Sequence, residues 1–322
     1  MRMRRWATMT GLGTMTLWMM VATILMPMPS PSTVQAADDD TAGALGARLM
    51  PLIKAHKGEV AVAVKHLDTG ETFVYRQDVP MPTASLIKFP VMIETYRQSE
   101  AGEVDLNKML TLKKEDRVAG SGILTPHFTD GATFSLRDAV RMMIFTSDNT
   151  ATNMVLDQIG IGSTAAFMEK LGFPETKIHS KTYHRETSVF PERSVKYGLG
   201  STTAADMVAL FEKLHKKELV SPAASEAMLV HLRTCDDRDK FPKFLPHGTP
   251  LAFKTGSVDE SRTCAGIMTT RSGPVALCVL TSKNEDKRWV PENAGNVLCA
   301  EVAREVFDHF QPKPAADAPA SR

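Results

Sequence analysis

Three short clusters hold the residue types that acyl-transfer chemistry needs. The first is Ser85-Leu86-Ile87-Lys88, preceded by Pro82-Thr83-Ala84. On a helix beginning here, positions three apart share a face, so Lys88 reaches the Ser85 hydroxyl. A serine is a weak nucleophile until a base takes its proton, and a desolvated lysine can do so. The second is Ser147-Asp148-Asn149, where a hydroxyl to shuttle a proton stands two residues from an amide that can orient a substrate. The third is Lys254-Thr255-Gly256-Ser257 on a β-like run, where a strand glycine marks close approach of another backbone. Each cluster also has an ordinary reading: a capped helix start, a turn with a new N-cap, and an edge-strand lysine placed against aggregation.

The elements that must position these groups follow from periodicity. Residues 42–57 place Leu45, Leu49, Leu52 and Ile53 at helical spacing. Runs 59–67 and 72–76 read as strands joined at Asp68-Thr69-Gly70, a hairpin turn signal. Helical patterns follow from about Ser85 to Ser99 and at 135–146, 151–159, 163–171, 203–216 and 222–233. Three β-like runs come next, at 251–258, 263–270 and 274–282, before a last amphipathic helix from about Glu292 to Phe310. This order predicts an α+β fold. One antiparallel sheet is built from both chain ends and flanked by the terminal helices, with an all-α lobe inserted and a site between the lobes. The sheet lobe takes about 37–84 and 218–311, and the helical lobe about 85–217.

Taken together, in this order and on helix start, interhelical loop and strand, the clusters form a known catalytic set. The chain resembles the penicillin-recognising serine hydrolases, the β-lactamase and DD-peptidase superfamily, and most of all the class A β-lactamases. Gly120-Ser121-Gly122-Ile123-Leu124 and Ser147 to Asn153 are similar to that family's middle region. The resemblance implies that Ser85 is acylated, Lys88 helps deprotonate it, and Ser147 passes a proton to the leaving lactam nitrogen. Asn149 would contact the substrate amide, while Lys254, Thr255 and Ser257 would meet the substrate carboxylate. The backbone N–H groups of Ser85 and Ser257 would form the oxyanion hole.

One part of the pattern departs. Class A enzymes hydrolyse the acyl-enzyme with a loop Glu and, four residues on, an Asn that together hold a water. The corresponding loop here, about Gly172 to Gly200, offers Glu186 as the base, but the residue four on is Phe190. Glu192 is a second acidic choice, again without the expected partner. The incomplete pair keeps two competitors beside a β-lactamase. They are a DD-peptidase acting on peptidoglycan D-Ala-D-Ala ends, and a slow-deacylating penicillin-binding or sensor protein.

Composition bounds the rest. Arg2, Arg4 and Arg5 precede the apolar run Leu17–Met26, and Val34-Gln35-Ala36 follows. This reads as a secretory signal peptide over residues 1–36, and the run is too short for a membrane anchor, which needs about 20 apolar residues. The expected location is periplasmic or secreted. Without the leader, 35 basic residues face 37 acidic ones, a net charge of −2, which gives no footprint for nucleic acid. The 9 histidines show no metal-ligand spacing, and no P-loop or dinucleotide fingerprint is present, so neither metal nor cofactor is expected. The 4 cysteines leave three pairings open. A monomer acting on a small-molecule lactam or peptide is expected, with a disordered tail over 312–322.

Overall fold

The protein is described from a computed structural model covering residues 43–311, so the expected leader 1–36 and tail 312–322 lie outside the described residues. The chain opens with α1 (Ala44–Ala55), β1 (Glu59–His66), β2 (Thr72–Tyr75) and the short β3 (Met81–Pro82). A 3-10 turn, Ala84–Ile87, leads into α2 (Lys88–Glu100). The middle of the chain holds β4 (Met109–Thr111), α3 (Leu124–His127), β5 (Thr133–Ser135), α4 (Leu136–Phe145), α5 (Asn149–Ile159) and α6 (Ile161–Lys170). Next come β6 (Lys177–Ile178), α7 (Pro191–Tyr197), β7 (Gly200–Thr202), α8 (Ala204–His215) and α9 (Pro222–Arg233). The chain closes with β8 (Leu251–Val258), β9 (Ser261–Thr270), β10 (Gly273–Ser282) and α10 (Ala294–His309).

Both chain ends build one antiparallel sheet, ordered β2-β1-β10-β9-β8, as the strand runs predict. The two-residue side-chain period of a strand sorts its faces. Val60, Val62 and Val64 of β1 join Val275, Leu277 and Val279 of β10 in a core covered by α1 and α10. Ala61, Ala63, Ala276 and Cys278 face the opposite core, where α8 lies on the sheet and the other helices extend it. The small residues on that face let α8 approach closely, and each large aliphatic chain buried contributes roughly 1.5–3 kcal/mol.

The interhelical stretch before α5 is set by local capping. Asp148 accepts from the Ala151 N–H at 2.8 Å, satisfying one free donor of the first turn. β8 stands at the edge of the sheet, and the Ala84–Ile87 turn packs against it. The short strands β3, β7 and β6, and the pair β4–β5, carry no period long enough to read from sequence.

The four cysteines are all buried and free. Cys264 and Cys278 lie on neighbouring strands, but Cys264 is opposite Val279 and Cys278 opposite Ala265, so the two thiols point to different faces. A bridge between them would require one strand to turn over.

Candidate active site

The turn that carries Ser85 is tighter than the α-helix start expected from sequence. In a 3-10 turn, residues i and i+3 eclipse, and here the Lys88 backbone N–H donates to the Ser85 carbonyl. Ala84 enters that turn at φ 45°, a left-handed conformation that costs a residue with a Cβ on the order of 1–2 kcal/mol. Ser147 is held the same way, at φ 55°. Tyr183, also in the cavity lining, has φ 60°, so three strained residues flank the cavity, and strain of this kind persists where the surrounding structure enforces it.

Lys88 is fully buried. Its Nζ donates to Ser147 O at 2.7 Å, Asn149 Oδ1 at 2.9 Å and Ser147 Oγ at 3.3 Å. An ammonium has three N–H donors, and these three oxygens take them all. Burial pushes the Lys88 ammonium well below the ordinary lysine range, and the nearby Lys254 charge pushes it further, against an opposing pull from Asp148. Losing one proton frees a lone pair while the two shorter bonds remain.

Lys254, also fully buried, donates to Ser147 Oγ at 3.0 Å and to Thr255 O at 2.9 Å. Burial lowers its affinity for a proton as well, partly offset by Cys235 and Asp237. The Ser147 hydroxyl oxygen thus accepts from two lysines. A serine hydroxyl has two acceptor sites and one donor. With both acceptors used, its remaining capacity is to donate a proton.

Gly256 explains how β8 meets the turn that carries Ser85. A Cβ at this position would fall 2.3 Å from Thr83 O and 2.8 Å from Ser85 N. Thr263 Oγ1 donates to the same Thr83 carbonyl at 2.8 Å, tying the strands to the turn. The strand glycine therefore permits the close approach expected of it, and the Ser85 N–H lies against the edge of β8.

A cavity of about 850 Å³ gathers Ser85, Ser147, Asn149, Lys254, Thr255 and Ser257 in its lining, with Lys88 buried beneath. Glu186 is not brought to them. Its side chain is 71% exposed, pairs with His184 Nδ1 at 2.9 Å, and is absent from the lining. Its own backbone N–H and His184 hold its carboxyl below the usual range, which makes it a weaker base. Glu192 is exposed on the first turn of α7. The loop brings Thr182 to the cavity instead. Asn153 clamps that residue in both directions, accepting from Thr182 N at 2.8 Å and donating to Thr182 O at 3.0 Å. Thr182 Oγ1 is buried and has no hydrogen-bond partner among the described residues.

Sequence reasoning missed this clamp, because the bond spans 29 residues and Thr182 belongs to no recognisable spacing. It also left Asp148 without a role. Asp148 accepts from Ile123 N at 2.7 Å and Leu124 N at 2.8 Å, and a Cβ on Gly122 would strike its carboxyl. Ser121 Oγ donates to Ser147 O at 2.9 Å. Residues 120–124 thus form a collar around the loop carrying Ser147.

Comparison with known proteins places the chain in a family. The model of the beta-lactamase enzyme family matches residues 44–310. The chain belongs to the beta-lactamase enzyme family. It is 25% identical to a beta-lactamase of Bacteroides uniformis over 274 residues, covering 81% of this chain and 89% of that one. It is 23% identical to beta-lactamase BRO-1 of Moraxella catarrhalis over 249 residues, covering 74% and 76%. The crystal structure of a beta-lactamase from Sphaerobacter thermophilus shares 27% identity at a TM-score of 0.73, covering 84% of this chain and 98% of that one. A mutant of PBP-A, solved as an acyl-enzyme complex with penicillin G, shares the fold at 22% identity and a TM-score of 0.71, covering 83% and 95%. The family match reaches from α1 to the end of α10, so every element that borders the cavity lies within it. Among the described residues, no helix is long and apolar enough to cross a membrane.

Proposed function

We propose that this family member opens the β-lactam amide through an acyl-enzyme on Ser85. The observation that carries the reading is the Ser147 hydroxyl, accepting from both buried lysines and left with only its proton to give. Neutral Lys88 takes the Ser85 proton as Oγ attacks the lactam carbonyl. Negative charge develops on the carbonyl oxygen against the N–H groups of Ser85 and Ser257. The C–N bond breaks, and Ser147 protonates the departing nitrogen. Lys88 returns its proton to Ser147 along the 3.3 Å contact. Asn149 holds the substrate amide, while Lys254, Thr255 and Ser257 hold the carboxylate. An exported location, periplasmic or secreted, accompanies this reading through the leader-like residues 1–36.

Release of the acyl group is the slow half. The acids that line the cavity, Asp236, Asp237 and Asp239, come from the segment before β8, and the 179–199 loop contributes none. This favours, as a second reading, a protein that acylates quickly and holds its adduct. One experiment separates the readings: the protein is mixed with a chromogenic cephalosporin while turnover and intact mass are followed. Sustained turnover, lost in Ser85→Ala, supports the hydrolase. A stoichiometric burst with a lasting adduct supports the sensor or peptidase. A folded protein with neither overturns both.

A further inference from the structure

Trp289 lies in the connection between β10 and α10 and lines the cavity beside Ser257 and Val258. It is 65% exposed, although an indole is among the largest apolar groups a chain can bury. Its position is nonetheless fixed. The indole Nε1–H donates to Asp259 Oδ1 at 2.8 Å, and the Arg262 guanidinium lies 4.9 Å from the ring centroid. Arg262 is itself fully buried, donating to the carbonyls of Val258, Ser261 and Arg288. The loop is laced from the other side, where Asn293 Nδ2 donates to Asp286 O and Arg288 O, both at 2.9 Å. One ring face rests on a cation and one edge is hydrogen-bonded, so the surface left open is the other face. A surface held this way loses little conformational freedom when a ligand covers it.

We propose that Trp289 is a stacking platform for a planar aromatic substituent of the substrate, set beside the part of β8 that holds the reacting core. Aromatic stacking contributes discrimination of roughly three- to tenfold beyond apolar burial. The inference rests on the reading of Ser85 and Ser257 as substrate-facing, and its test is built to fail separately. Second-order acylation constants are measured for the full chain with two matched lactam pairs. One pair is benzylpenicillin and 6-aminopenicillanic acid, which differ on the acyl side. The other is cephalosporins carrying a heteroaryl or a methyl group at C3, which differ on the leaving side.

In Trp289→Ala, the preference for the aromatic member falls three- to tenfold in at least one pair, and Trp289→Phe restores it. Preferences that stay at their wild-type values in both pairs overturn the platform. So does an equal loss for aromatic and plain members, which marks a purely structural tryptophan. Trp289→Leu keeps the bulk without the ring and replaces the alanine variant if that one fails to fold. Acylation that survives in Ser85→Ala refutes the underlying reading, whatever Trp289 does.

Discussion

At the residue scale, the site depends on where protons can and cannot sit. In the proposed mechanism Lys88 serves as a base only when neutral, and burial moves its proton affinity in that direction. The acylation rate therefore rises with pH through a midpoint well below the ordinary lysine range and is lost on the acid side as Lys88 binds a proton. Stopped-flow acylation across pH checks this, and Lys88→Ala removes the acid limb together with most of the rate. Ser147→Ala leaves the departing nitrogen without its donor, and acylation falls by about 10²–10⁴, the usual contribution of a positioned acid. Thr182 offers the converse change. Thr182→Glu puts a carboxylate where the loop holds an unpartnered hydroxyl, and the adduct lifetime by mass shortens at least about tenfold, each 1.4 kcal/mol being a factor of ten. An unchanged lifetime means that this position does not serve the ester.

At the element scale, the absence of one side chain lets the Ser85 turn and the edge strand lie together. Gly256→Ala forces β8 away from Thr83 and Ser85, because the new methyl would meet backbone atoms that cannot yield. A displacement near 1 Å in such a site lowers the rate on the order of 10²-fold. The acylation constant drops accordingly, while far-ultraviolet circular dichroism keeps its native form. All three clusters were legible because they combine type with short spacing. Ser85 and Lys88 are three apart on one turn, and Ser147 precedes Asn149 at a helix cap. Which loop residue faces the cavity was not legible, because it depends on how a long, irregular segment turns. A bond from Asn153 sets that turn, and no local pattern reports it.

At the scale of the whole molecule, two buried histidines tie distant parts together. His231 bonds Tyr96 at 2.8 Å and links α9 to α2, while His179 joins the loop to Gly198 O at 2.8 Å and Ser201 Oγ at 3.2 Å. Burial lowers both imidazoles to about 4, from an ordinary value of 6.5. Between those values the unfolded chain binds protons that the folded one refuses, so stability falls as pH drops from 6.5 toward 4. The loss amounts to up to about 3 kcal/mol for each histidine, at about 1.36 kcal/mol per pKa unit. Urea unfolding at pH 7 and pH 4.5 measures it, and His231→Asn reduces the pH dependence.

Sequence alone determined the elements and the chemistry they carry. Strand and helix periods placed the five-stranded sheet and the long helices, since a face that must be buried repeats every two or every 3.6 residues. Residue types singled out a serine, two lysines, a second hydroxyl and an amide as the candidate reacting groups. Tertiary structure decided what periodicity cannot encode. It set both lysines around one hydroxyl, the glycine against the nucleophile turn, Thr182 rather than Glu186 at the cavity, and Trp289 over a buried arginine. Each of these is a contact between segments far apart in sequence, set by backbone approach and by which buried polar atoms found partners. Such contacts exist only once the chain has closed on itself.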